Sequence, residues 1–186
     1  LSYVTASTEC DHSYTSKVTT AATCTTAGVK TYTCSKCGDS YTESIPVTDH
    51  NYVGGSCSAC GKADPDFVKP VLTLKYPTVS FEDEIIMNIF FAAENLGDIT
   101  PDKMGLITFN SNVANGTIEN ADAVIPGAEL NAAAGFYCAN TKGIAAKNLG
   151  DKVYFRAYVQ LDDDSYVYSN MASYSPMKYA YTVLNG

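Results

Sequence analysis

The chain has no tryptophan, only 2 histidines, and only 12 Lys and Arg against 20 Asp and Glu, giving a formal net charge of −8 over 186 residues. Nucleic acids and anionic membranes both require a concentrated basic face that displaces counterions, and no such face is visible, so neither is expected as a partner. Long apolar runs are also missing. The longest, Ile85-Ile86-Met87 and residues 89–93, fall far short of the roughly 20 residues that a membrane helix needs. No glycine-rich phosphate loop is present, because residues 132–135, starting at Ala132, lack the lysine and the strand-to-helix setting. The chain starts at Leu1 with no signal peptide or anchor at either end. It is therefore expected to be a processed segment, monomeric within a longer protein.

What the chain does have is 14 tyrosines, many Thr and Ser, and 7 cysteines. The first two fit β structure and an extracellular, secreted or cell-surface setting. The cysteines are not spread evenly. Six of the seven, with both histidines, fall between positions 10 and 60 in the order Cys10, His12, Cys24, Cys34, Cys37, His50, Cys57, Cys60. Eight zinc-ligating side chains in so short and polar a segment point to two tetrahedral structural zinc sites. The same thiolate and imidazole set would also hold iron or cobalt.

The segment contains an imperfect repeat. Asp11-His12-Ser13-Tyr14 returns as Asp49-His50-Asn51-Tyr52, and Cys34-Ser35-Lys36-Cys37-Gly38 returns as Cys57-Ser58-Ala59-Cys60-Gly61. Strands are expected over 17–23 and 29–33, flanking a turn at Thr25-Thr26-Ala27-Gly28, and over 41–47. At about 3.3 Å per residue, Cys24 at the turn end would lie some 15–20 Å from the Cys34-x-x-Cys37 knuckle. The two ends then cannot share an ion. His50 returns to the turn end, while Cys10 and His12 precede the first strand beside the first knuckle. The grouping that follows is Cys10, His12, Cys34, Cys37 for one site and Cys24, His50, Cys57, Cys60 for the other. In a longer array the same rule would have each unit lend its lone cysteine to the next.

Two alternatives stay open at this level. The two C-x-x-C pairs lie 19 residues apart, a spacing that suits a four-cysteine zinc ribbon and leaves Cys10, His12, Cys24 and His50 for the second ion. A disulfide framework without metal suits an exported chain, although it leaves unexplained why both histidines keep step with the cysteines.

The run from Val18-Thr19-Thr20 through Cys24-Thr25-Thr26-Ala27-Gly28 to Cys34-Ser35-Lys36-Cys37-Gly38, with Ile45-Pro46 and Asp49-His50, resembles the Cys/His repeats strung along large surface or secreted proteins of anaerobic gut Firmicutes. The second unit departs from them: it has no counterpart of Cys24, and Asp49 stands where those repeats have glycine. It resembles the closing half-repeat of an array. The resemblance implies spacers and scaffolds between other modules. Ser80-Phe81-Glu82-Asp83-Glu84, Gly143-Ile144-Ala145-Ala146-Lys147 and Tyr174-Ser175-Pro176 likewise resemble a β-sandwich module that accompanies the repeats, with no activity to transfer.

Three regions are therefore expected: a Cys/His repeat domain over 1–61 with its second unit truncated, a Pro-containing linker over 62–70, and a β-sandwich over 71–186. Strands over 71–76, 84–95, 104–109, 135–139, 153–161 and 166–169, with Gly, Asn, Asp and Pro between them, predict an immunoglobulin-like sandwich in a mainly β protein. Ser175-Pro176 reads as an N-cap and N1 pair, so 177–184 is a short helix or a last edge strand.

No catalytic residues are expected. Histidines committed to metal cannot shuttle protons, and four protein ligands per ion leave no open position for water. Glu82-Asp83-Glu84 and Asp162-Asp163-Asp164 read as solvated turn charges and Cys138 as a small buried residue. Two functions remain. One is a non-catalytic spacer that presents an adhesion or interaction module to a host or bacterial surface protein. The other is a carbohydrate-binding module whose tyrosines, drawn from Tyr154, Tyr158, Tyr166, Tyr168, Tyr174, Tyr179 and Tyr181, stack on a polysaccharide or host glycan. The second requires a solvent-facing row of these rings on one sheet.

Overall fold

The computed structural model describes residues 10–81, 83–131 and 134–185. Glu82 and Ala132, and the first nine residues of the expected repeat domain, lie outside the described residues. The fold is mainly β with a single α-helix among the described residues, and the chain divides into two compact units after Pro65.

The first unit is built on a three-stranded antiparallel sheet, β1 (Tyr14–Thr20), β2 (Gly28–Cys34) and β3 (Ser40–Ile45), in the order β1-β2-β3. A two-stranded ribbon, β4 (Tyr52–Val53) and β5 (Ser56–Cys57), follows. Strand β1 starts at Tyr14 and ends at Thr20, three residues earlier at each end than its sequence suggests, because the ladder begins with Tyr14 opposite Cys34 and breaks between Val18 and Thr20. The loop that carries Cys24 packs tightly over Gly28, where a Cβ would stand 2.6 Å from the Ala22 nitrogen and 2.7 Å from the Thr20 oxygen. Only glycine allows this approach.

This sheet buries almost nothing. Every β1 residue is exposed, as is most of β3. Its alternation places Thr15, Lys17, Thr31, Thr33 and Thr42 on one face, with the Thr19 and Thr31 hydroxyls 2.9 Å apart. On the other face His12 stacks on Tyr14 at 5.2 Å, Tyr14 meets Tyr41 edge-on at 5.0 Å, Tyr41 stacks on Tyr32 at 4.8 Å, and the Lys30 ammonium lies 4.9 Å over the Tyr32 ring. These ring contacts stand where a core would be, and they remain half-exposed.

The expected linker over 62–70 is not a separate element. Cys57 N–H donates to Lys62 O, Ala63 bridges to Ser56, and Asp64 N–H donates to Gly55 O, so residues 62–64 complete the β4-β5 ribbon. The second unit begins at Asp66, and Pro70 is already buried.

The second unit holds two antiparallel sheets. One has the order β10 (Glu129–Asn131), β11 (Phe136–Thr141), β7 (Ile85–Glu94), β6 (Val71–Phe81). The other has the order β13 (Tyr166–Tyr168), β12 (Val153–Gln160), β8 (Met104–Phe109), β9 (Ala123–Pro126), with β14 (Ala172–Tyr174) also paired to β12. Side chains at period 2 supply one shared core: Leu72, Val79, Met87, Ile89, Phe91 and Ala139 from the first sheet, and Met104, Leu106, Phe155, Ala157, Val159 and Val167 from the second. Strand β7 is central, as its two apolar faces predict. Strand β6 runs five residues past its expected end and passes Pro77 with a register shift between Leu74 and Pro77, which an edge strand tolerates because proline has no ladder N–H to lose.

A second apolar cluster, Ile107, Phe109 and Tyr158, lies on the outer face of the second sheet, with Val113 and Ile118 of the loop before β9 packed against it. Arg156 ties that loop down by donating to Gly116 O and, at 2.7 Å, to Ser169 O. Residues 177–184 are helical: α1 spans Pro176–Asn185, and the Ser175 hydroxyl accepts the Lys178 N–H at 3.3 Å. The Asp162-Asp163-Asp164 run is a turn in which Asp163 accepts both the N–H and the hydroxyl of Ser165. Strands β9, β10 and β14 are three or four residues long and carry no legible periodicity of their own.

Phe91 has no exposed surface. Phe91→Ala should destabilise the second unit by about 3–5 kcal/mol. In calorimetry the loss should appear in the transition of that unit alone, with the first unit unmoved.

Candidate metal centres

The structure gathers the eight residues into two groups. Cys10, His12, Cys34 and Cys37 form one; Cys24, His50, Cys57 and Cys60 form the other. In each group the ligand atoms all lie within 4.8 Å of one another. The two C-x-x-C pairs fall in different groups, so a four-cysteine ribbon does not form. No disulfide forms either: all six cysteines are free thiols.

The spacings within each group are those of a coordination shell. Cys10 Sγ is 3.9 Å from Cys34 Sγ, and Cys24 Sγ is 3.9 Å from Cys57 Sγ. His12 Nδ1 is 3.4 Å from Cys37 Sγ, and His50 Nδ1 is 3.5 Å from Cys60 Sγ. A tetrahedral ion with bonds of about 2.3 Å to sulfur and about 2.0–2.1 Å to nitrogen would separate two sulfurs by about 3.8 Å and a sulfur from a nitrogen by about 3.6 Å. Both histidines turn the same nitrogen, Nδ1, toward the group.

Backbone geometry explains why these side chains meet. In the first knuckle Gly38 N–H donates to Cys34 O, Cys34 N–H to Asp39 O, and Ser35 N–H to Ser13 O. The second knuckle repeats this bond for bond: Gly61 to Cys57, Cys57 to Lys62, and Ser58 to Asn51. Each turn closes on a glycine at positive φ, +78° at Gly38 and +73° at Gly61. The tyrosine of each D-H-x-Y unit pairs in register with the first knuckle cysteine, Tyr14 with Cys34 and Tyr52 with Cys57, and stacks on its own histidine at 5.2 and 5.5 Å. Tyr14 is fixed in turn by donating to Asp39 at 2.8 Å. These tyrosines orient the imidazoles, and a conserved i, i+2 offset within the repeat was the signal for them.

The two repeat copies, both within the first unit, share the second group. Cys24 comes from the β1-β2 turn of the first copy, and the other three ligands from the second copy; Thr48 N–H donates to Thr23 O beside them. The first group closes the opposite end of the sheet, with Cys10 supplying the fourth ligand. The three-stranded sheet thus carries one group at each end.

The thiols of each group are shifted in opposite directions. Hydrogen bonding to Cys37, then burial and Cys34, pushes the Cys10 thiol up to about 12. The Cys60 thiol, then burial and Cys57, pushes Cys24 up to about 11. Burial also pushes Cys34 up, but contacts from Ser13, Lys36, Cys37 and His12 outweigh it and hold that thiol down at about 5. Cys57 is held at about 6, chiefly by the Ala59 N–H and His50. In each group one thiol is thus held low and another is raised. A dication would neutralise the sulfurs together.

The tyrosines proposed for sugar binding do not form a row. Tyr158 is buried, Tyr154, Tyr166 and Tyr168 pack around the outer cluster, Tyr174 and Tyr179 pack against the main core, and Tyr181 is 70% exposed on α1. Cys138 is half-buried in β11, where burial and then Glu129 raise its thiol pKa.

Cys24→Ser should reduce stoichiometric cobalt loading from two ions to one, and the thiolate-to-cobalt absorption band should fall while the shell of Cys10, His12, Cys34 and Cys37 persists. Proton release should follow the thiol values. At pH 7 Cys10 and Cys24 hold their protons, so each ion bound should expel at least one, and affinity should weaken as pH falls. The dependence should steepen through about pH 6 for the group holding Cys57 and about pH 5 for that holding Cys34, where these thiolates also take up protons. Indicator titration in weak buffer measures the proton count.

No family model, curated protein or solved structure matches this chain, so the functional reading stands on the geometry of these two groups and of the sheets around them.

Proposed function

We propose that the two Cys3His groups hold two structural zinc ions, and that the first unit is a metal-stapled spacer carrying an interaction module. One observation carries this reading: four ligand atoms converge at tetrahedral spacings at each end of a sheet that buries almost no apolar surface. A sheet with both faces wet needs another source of folding free energy, and thiolate coordination supplies it. With all four positions filled by protein, the ions have a structural and not a catalytic role.

The second unit we read as immunoglobulin-like. Taken in chain order as A, B, C, C′, D, E, F and G, its strands give one sheet of order A-B-E-D and another of order C′-C-F-G, with β14 extending the last edge. That order supports the assignment, since it is the constant-type arrangement with one strand added. A chain of net charge −8, rich in Thr, Ser and Tyr, together with the resemblance of its repeats, supports placing the protein outside the cell or on its surface. There the module would engage a glycan or a surface protein, without catalysis.

Native mass spectrometry should find two zinc ions on the chain. Excess chelator with reductant should collapse the NMR resonances of residues 10–65 while those of the sandwich keep their positions. A first unit that stays folded in chelator and reductant together overturns the metal reading.

A further inference from the structure

The second unit contains a cleft of about 810 Å³ that no step above uses. It opens between the end of β8 and the loop joining β11 to β12, and its lining includes Asn110, Lys142, Asn148, Asp151, Lys152 and Tyr154. Among the described residues, none of these six side chains has a hydrogen bond or ion pair within the protein. The volume lies in the range of small-ligand sites, about 300–1,000 Å³. These groups are therefore free to bond a ligand seated in the cleft.

The chemistry of the lining restricts the ligand. Lys142 and Lys152 donate only, ionised Asp151 accepts only, and Asn110 and Asn148 do both. Two ammonium groups work against a cation, and the carboxylate between them in the chain works against a phosphate or sulfate. Glu84 reinforces this, its Oε2 standing 3.8 Å from the position of a Cβ on Gly143. Groups that each donate and accept, set close together, satisfy a mixed lining best, and vicinal hydroxyls of a sugar ring are such groups. Tyr154 adds the apolar element: it stacks on no other ring, unlike Tyr158, Tyr166 and Tyr168, and it lines the cleft from β12. An unstacked aromatic ring beside polar side chains suits a pyranose, whose C–H face is apolar and whose rim is hydroxylated.

We infer that this cleft binds one or two pyranose rings of a neutral oligosaccharide, with Asp151, Asn148 and the two lysines holding hydroxyls and Tyr154 supporting a ring face. The inference deepens the reading of the second unit as an interaction module and is independent of the metal ions. It keeps one tyrosine of the expected pool and moves the site from a sheet face to the end of the sandwich.

The experiment is a titration of the full chain, loaded with zinc, with neutral gluco-, manno-, galacto- and xylo-oligosaccharides and with sialylated and uronic oligosaccharides, followed by amide shifts. At least one neutral oligosaccharide should bind with a Kd between about 10 µM and 1 mM, moving resonances of 141–154, and Asp151→Ala with Asn148→Ala should weaken it about tenfold or more. Both residues are exposed, so these variants keep the fold. Binding should also survive chelator, because no metal ligand lines the cleft. Absence of binding across the panel up to ~10 mM, about 2.7 kcal/mol of affinity, overturns the inference and leaves the metal count untouched. Retention of full affinity in the double variant, or binding of acidic sugars alone, overturns it as well.

Discussion

The first unit depends on one constraint: three sulfurs and an imidazole nitrogen within 4.8 Å of each other, twice over. Hydrogen bonds within each group split its thiols, holding one near 5 or 6 and, together with burial, pushing another up to about 11 or 12. A dication bound to such a set would add its binding free energy to folding. Every other feature there serves the convergence. Glycines at positive φ turn the knuckles, Gly28 lets the Cys24 loop close, and the stacked tyrosines hold the imidazoles with Nδ1 inward.

The second unit works by the opposite physics. Its two sheets enclose Met87, Ile89, Phe91, Met104, Leu106 and Val159 with essentially no exposed surface, so hydrophobic burial suffices, and no metal-ligand group or disulfide occurs among its described residues. Its only cysteine, Cys138, is remote in sequence from the ligand set and has no partner thiol. One chain thus folds two neighbouring units by independent means. That separation is what makes metal removal, core truncation and cleft substitution report on different parts of the molecule.

Much of this was legible in the residues, and the reasons are physical. The separation of Cys24 from Cys34 and Cys37 could be read from strand length, since a turn and a knuckle at opposite ends of a seven-residue strand cannot share an ion, and the return of the chain after β3 brings His50 back to the turn end. Strand β7 was legible because a run apolar on both faces belongs in the middle of a sheet. What could not be read were elements whose partners decide them. Strands β9, β10 and β14 exist because β8, β11 and β12 offer free edges. Residues 62–64 look like a spacer by composition, yet the β4-β5 ribbon recruits them as its closing bonds. The ring stack of Tyr14, Tyr41 and Tyr32 is not legible in the sequence because it depends on register: Tyr32 faces Tyr41 only once β2 and β3 are aligned.

The comparison of the two repeat units explains how a truncated copy can fold at all. The first joins its D-H-x-Y and C-x-x-C halves through two seven-residue strands and a loop; the second joins them through four ladder residues and the turn Gly54-Gly55. Four ladder residues cannot stand alone in water. The second copy keeps the knuckle bonds, the histidine and the stacked tyrosine, and lacks only a cysteine of its own turn. Its group draws the fourth ligand, the Cys24 thiol, from the turn of the first copy. In the first copy the same hairpin serves both groups: β2 ends on Cys34 of its own group, and the β1-β2 turn supplies Cys24 to the other. The shortened copy thus gathers its four candidate ligands by borrowing Cys24 from the longer one.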